Sequence, residues 1–203
     1  MQLSDPDRAR IVAAIREAEA QTSGEIFCVT TPASGGYRTV PFAWAALIAL
    51  VVPLPLIHFT LWPASVIYAL QLAAFIAAII VFWQPAIRYR LVFPRTKRER
   101  AHGEAVRQFL AHGLQHTEKR TGVLIFVSEA ERYVEILADA GIAQKVPRET
   151  WDTAVAALTR EIKEGRPADG FVAAIGLCAK VLAEHFPPGA INRDELPNAI
   201  VEL

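Results

Sequence analysis

Three carboxylates stand at the ends of apolar runs: Glu25, Asp139 and Asp169. Oxygen ligands of this kind hold hard cations such as calcium or magnesium. A metal-assisted phosphate hydrolase needs such a cluster. The competing roles are structural, with Asp169 a helix N-cap, Asp139 a turn residue and Glu25 a strand-end charge, and these are favoured. Other chemistry is thin. His112 and His116 have the i, i+4 spacing that can bind zinc. The residues between them are Gly113-Leu114-Gln115, with no Glu in the H-E-x-x-H manner, so solvated histidines near a helix end are expected. There is no G-x-S-x-G, no Walker loop and no Cys-His pairing at a recognisable spacing. Cys28 and Cys178 sit in separate apolar segments and are expected to be buried free thiols. Trp151 and Phe171 are expected to pack rather than stack on a ligand.

The elements that must position these residues follow from periodicity and punctuation. Ser4 or Asp5 caps a first helix with Pro6 in its first turn, and Ile11, Val12, Ile15 and Ala18 recur at helical spacing. Glu25 to Thr31 is rich in β-branched and aromatic residues and predicts a strand. A long helix is expected from Pro94 to about Glu118, with Ala101, Ala105, Val106, Phe109, Leu110 and Leu114 as its apolar stripe. Thr121 to Ser128 is a nearly continuous apolar run suited to a central strand. Arg132 to Asp139 predicts a third strand, antiparallel to the second across a short turn. Helices are expected from about Arg148 to Glu164 and from about Gly170 to His185, the latter capped by Asp169. The tail, 189–203, is expected to hold at most a short turn of helix.

Between Arg38 and Arg88 the chain has no Asp, Glu, Lys or Arg. A bilayer crossing needs about 20 apolar residues, so this stretch accommodates two. Helix one is expected at about Val40 to His58 and helix two at about Ser65 to Gln84, with Thr60 to Pro63 as the turn. Pro53 and Pro55 should kink the first. A buried hairpin of a soluble protein is the lesser alternative, because core helices rarely lack charge on every face. After helix two come Arg88, Arg90, Arg95, Lys97, Arg98 and Arg100, opposed by Glu99. Basic excess beside a crossing stays in the cytoplasm. The expectation is an integral protein of the inner (cytoplasmic) membrane with two spans, both termini and the soluble part being cytoplasmic. The arginines can also touch anionic headgroups. Lys plus Arg and Asp plus Glu balance at 21 each in 203 residues, which gives no support to a nucleic-acid partner. The division expected is 1–38 as the first part of a soluble domain, 39–87 as the hairpin, 88–188 as the remainder and 189–203 as tail.

The insertion point orients the sheet. Strand one runs into the membrane linker, and the helix from Pro94 travels roughly 35 Å away from it. Strand two must then return parallel to strand one, through a right-handed crossover. The starts of strands one and two (Glu25, Thr121, Gly122) and the end of strand three (Asp139, Gly141) therefore gather at the face distal to the membrane, where Asp169 could join them.

Three runs carry a resemblance to a known family: S-G-E-I-F-C-V-T-T, T-G-V-L-I-F-V-S-E-A-E-R-Y-V-E-I-L-A-D-A-G-I and G-R-P-A-D-G-F-V-A-A-I-G-L-C-A-K-V-L-A-E-H-F-P-P. With the opening helix they resemble the TPM domain. The resemblance implies an α/β fold: a small mixed sheet flanked by helices, here with a two-helix transmembrane hairpin inserted after the first strand. It also implies membrane anchoring, a part in photosystem repair or receptor modulation, weak acid phosphatase activity and, in some members, calcium binding. This chain has Arg120-Thr121-Gly122 where the family commonly has Asp-Asn-Gly, and Asp139-Ala140-Gly141 where the family has a glycine pair. Both departures weaken a transfer of phosphatase activity or metal binding. The function expected is a cytoplasm-facing interaction or modulator module acting on another membrane protein in assembly or quality control. The alternative is a weak metal-dependent acid phosphatase.

Overall fold

In a computed structural model, residues 3–188 and 195–203 are described. The chain divides into two compact units, residues 1–34 with 99–203 and residues 35–98.

The first unit is a four-stranded mixed sheet between helical layers. Its strands are β1 (Glu25–Thr31), β2 (Gly122–Ser128), β3 (Tyr133–Ala138) and β4 (Ile200–Glu202), in the order β3-β2-β1-β4. β1 pairs parallel with β2 and β4, and β2 pairs antiparallel with β3. Because side chains alternate along a strand, the continuous apolar runs of β1 and β2 feed two cores. Ile26, Cys28, Val123, Ile125 and Val127 face one side with α1 (Asp5–Glu19), α8 (Asp152–Lys163) and α9 (Pro167–His185). Phe27, Val29, Leu124 and Phe126 face the other, against Ala105 and Leu114. A strand covered on both faces needs apolar residues at every position, which is why β1 and β2 show no polar alternation.

The second unit contains α2 (Thr39–Val51), α3 (Pro53–Phe59), α4 (Ala64–Trp83) and α5 (Pro85–Leu91). α6 (Pro94–Ala111) begins in this unit and continues into the first, and α7 (Ala140–Ala143) is a single turn after β3. Thr39–Phe59 and Ala64–Trp83, of 21 and 20 residues, are long and apolar enough to cross a bilayer. Ala45 and Ala49 on α2 and Ile67 and Ala78 on α4 are buried, while Leu50, Leu54, Ile57, Ile76 and Ile80 are exposed. Trp44 Nε1 donates to the Leu91 carbonyl at 3.3 Å.

Several boundaries differ from expectation for identifiable reasons. The first apolar helix is interrupted at Val52, which keeps helical dihedrals while Pro53 opens α3, in line with the kink expected of Pro53 and Pro55. The helix expected to reach Glu118 stops at Ala111, because Gly113 (φ 74) takes the left-handed conformation of a helix stop and Leu114–His116 forms a 3-10 turn. The residues from Arg148 begin as a 3-10 turn, and the α-helix proper starts at Asp152. α9 starts at Pro167, so Asp169 lies inside its first turn and is not the N-cap. The tail holds no helical turn among its described residues. Ile200–Glu202 instead pairs parallel with β1, and Leu203 N donates to the Thr30 carbonyl at 3.0 Å.

Candidate functional site

Parallel pairing of β1 with β2 and antiparallel pairing of β2 with β3 bring Glu25, Thr121, Gly122, Asp139 and Gly141 to one end of the sheet. Glu25 registers with Gly122. Glu25 N donates to the Thr121 carbonyl at 3.1 Å and Asp139 N to the Gly122 carbonyl at 2.9 Å. Gly141 N donates to the Arg120 carbonyl at 3.1 Å.

Asp139 is buried, and its carboxylate is already satisfied. Arg120 Nε donates to Oδ2 at 2.7 Å and Arg120 Nη2 to Oδ1 at 3.1 Å, while Ala140 N caps onto Oδ1 at 2.6 Å. Arg120 holds this fork from a left-handed backbone, φ 56. A guanidinium therefore provides the positive charge that a hard cation would bring to Asp139. The Glu25 carboxylate accepts from Glu195 N at 3.4 Å and Leu196 N at 3.3 Å, so it anchors the segment leading to β4.

Asp169 does not join this end. Arg10 Nη2 donates to its Oδ1 at 2.6 Å, tying α9 to α1. The far end of α9 is the one beside β1: the Phe186 carbonyl accepts from Ser23 N at 3.0 Å and from Thr22 Oγ1 at 2.7 Å. Asp169 is 17 residues up that helix, about 25 Å at 1.5 Å per residue. Among the described residues no group of three His, Cys, Asp or Glu side chains could hold a metal ion. The donor set at the strand ends thus does not fit the calcium or magnesium site expected of Glu25, Asp139 and Asp169.

The histidine pair is also separated. His112 follows the end of α6 and its ring lies 4.5 Å from that of Phe27, where burial lowers its pKa. His116 lies across the left-handed Gly113 in the 3-10 turn. Cys28 and Cys178 are buried free thiols, as expected. Burial raises both their pKa values, that of Cys178 to about 12.

One polar cluster escaped sequence reasoning. Glu135, buried in β3, takes Arg148 Nη2 on Oε1 at 2.7 Å and the Tyr133 hydroxyl on Oε2 at 3.0 Å. His102 Nδ1 lies 2.9 Å from Oε2. A carboxylate inside the run Val134-Glu135-Ile136-Leu137 was the available signal, since such a charge survives burial only with partners. The cluster fastens α6 and the 148–151 turn to the sheet. Of the basic residues after α4, Arg88 and Arg90 lie on α5, and Arg95, Lys97, Arg98 and Arg100 on the first turns of α6. The Arg88 guanidinium sits 5.4 Å from the centre of the Tyr89 ring.

Residues 89–181 match the family model described as the TPM domain. A search of the curated proteins finds no relative. Among solved structures, the NMR structure of the BA42 protein from the psychrophilic bacterium Bizionia argentinensis is similar, with 23% identity and a TM-score of 0.64. That comparison covers 100% of this chain and 96% of the other, and it shows the shared fold. Residues 89–181 thus match the TPM domain in sequence, and the mixed sheet and its helices share the fold of that structure.

Proposed function

We propose that this protein is a membrane-anchored interaction module. Its hairpin sits in the inner (cytoplasmic) membrane, its TPM domain faces the cytoplasm, and it modulates another membrane protein in assembly or quality control. One observation carries the reading: the helices between Arg38 and Arg88 have no Asp, Glu, Lys or Arg on any face, and their exposed side chains are mostly apolar, with Thr39, His58, Ser65 and Tyr68 as polar exceptions. Exposed apolar surface on this scale is unfavourable in water and suits lipid or a partner helix. The arginines that follow α4 support a cytoplasmic side. Ala45, Ala49 and Ala78 are used within the hairpin, whereas Ala73 and Ala77, one helical turn apart, are exposed on α4. Small residues at that spacing let a partner helix approach closely.

Affinity purification from gently solubilised membranes tests the reading. A specific membrane protein should co-purify with the wild-type chain and be depleted several-fold by Ala73→Leu with Ala77→Leu. Repeated failure to enrich any membrane protein above background would overturn it. The alternative, a weak metal-dependent acid phosphatase, needs a cation at Asp139, where Arg120 already forks the carboxylate. That alternative predicts calcium- or magnesium-dependent phosphate release that Asp139→Ala abolishes; absence of such activity in the folded protein removes it.

A further inference from the structure

The sheet end opposite Glu25 and Asp139 has no role in the anchoring reading, and it is hollow. The end of β2, the start of β3 and the α8–α9 connection line a cavity of about 700 Å³, within the range that holds small organic ligands. Val127, Val134 and Ile162 supply apolar wall and Ser128 closes the strand end. Arg132 and Lys163 also line the cavity, both on exposed positions at its rim. Among the described residues, neither has an ion-pair partner, whereas Glu129, which also lines the cavity, is already engaged. The cavity lies at the carboxyl end of a parallel pair, where ligands of open α/β sheets bind.

Arg132 is placed there at a cost. Its φ is 52, in the left-handed region, as the last residue of the β2–β3 turn whose N–H donates to the Glu129 carbonyl at 3.0 Å. Glycine or asparagine is the usual residue at such a turn position. Arginine accepts the backbone strain and sets a guanidinium at the cavity mouth. A side chain kept where glycine would relax the fold points to a use for that side chain. Neighbouring Ser128 donates to Glu131 Oε2 at 2.5 Å and accepts from Ser34 Oγ at 2.8 Å, so the floor beneath the mouth is fixed.

We propose that this cavity binds a small organic carboxylate with an apolar body, its head group held by Arg132 and Lys163 and its body against Val127, Val134 and Ile162. Arginine pairs with a carboxylate through a two-pronged contact, and a mostly apolar lining that also carries two cationic residues selects an amphiphile over a bare ion. The site lies wholly in the sheet unit and does not depend on the membrane reading.

The test is calorimetry on the full chain in zwitterionic nanodiscs, with 4-phenylbutyrate as probe. The controls are acetate, 4-phenylbutanol and phenyl phosphate, and empty nanodiscs are subtracted. Saturable 4-phenylbutyrate binding is expected, with acetate and 4-phenylbutanol each about tenfold weaker or worse. Arg132→Gly and Lys163→Gln should each weaken it by about tenfold, the value of one charge-assisted contact. Arg132→Gly also relieves the left-handed strain, so its melting temperature should hold or rise, and lost binding then cannot be lost folding. Three results would overturn the proposal: no saturable binding, equal binding by both variants, or phenyl phosphate binding in place of the carboxylate.

Discussion

Asp139 shows how a residue's partners decide its role. Its fork from Arg120 and its cap on Ala140 N make it a structural carboxylate. Asp139→Ala removes a helix cap and leaves Arg120 without its partner, so a loss of about 2 kcal/mol is expected, read by urea denaturation. The two nearby glycines are fixed by close approach. A Cβ on Gly141 would lie 2.5 Å from the Lys119 carbonyl oxygen, and one on Gly122 would lie 2.6 Å from that of Leu114. Backbone atoms cannot swing aside, so Gly141→Ala and Gly122→Ala should each cost about 3 kcal/mol, measured the same way. The sequence marked both positions as special but left Arg120 unassigned, because pairing across 19 residues depends on a left-handed backbone that no local pattern announces. Glu25 and Asp139 were legible as neighbours, since strand order alone brings them together. Asp169 was misplaced because the direction of α9 against the sheet is set by packing, which its own sequence does not encode. Thiol chemistry follows from burial. Cys28 and Cys178 have raised pKa values, so they should resist maleimide at pH 8 in the native protein and react once it is denatured.

Elements were legible where their pattern was long and hidden where it was short. β1, β2 and β3 stand within a residue of their expected bounds, because six or seven successive strand residues leave a strong signal. β4 has only Ile200–Glu202, and its pairing with β1 comes from the far end of the chain. It nevertheless completes the edge: Leu203 N reaches the Thr30 carbonyl, and Arg8 Nη2 lies 2.8 Å from Glu202 Oε1. Deleting residues 199–203 exposes the β1 edge and should lower the melting temperature by about 3–6 °C. The α8–α9 connection is held by Glu161, whose carboxyl accepts from Arg166 and Arg160. Hydrogen bonds from Arg166, then from Arg160, hold its pKa below the usual carboxylate value. A depressed folded-state pKa means that the contribution to stability is present above the unfolded value of about 4.3 and is lost as pH falls through the folded value. Glu161→Gln should therefore show a shallower fall in stability from pH 5 to pH 3 than wild type, followed by circular dichroism.

At the scale of the whole molecule, two apolar helices stand between the first strand and residues 89–181, the stretch that matches the TPM domain. This apolar pair was the most legible feature of the sequence, because absence of charge over so long a stretch does not depend on tertiary context. The interruption at Val52 was legible too, since Pro53 and Pro55 remove backbone donors and kink a helix that otherwise continues. α5 was not, because the seven residues Pro85–Leu91 are too short a stretch to announce a helix by periodicity. The central claim is that the hairpin crosses a membrane and returns, leaving the TPM domain in the cytoplasm. Labelling of single-cysteine variants with an impermeant maleimide in intact cells tests it most directly. Leu61, fully exposed in the turn between α3 and α4, and Glu149, exposed on the TPM domain, are the reporter positions. The account predicts that Leu61→Cys is labelled from outside and that Glu149→Cys is labelled only after permeabilisation. Labelling of Glu149→Cys in intact cells, or protection of both positions until permeabilisation, would contradict it.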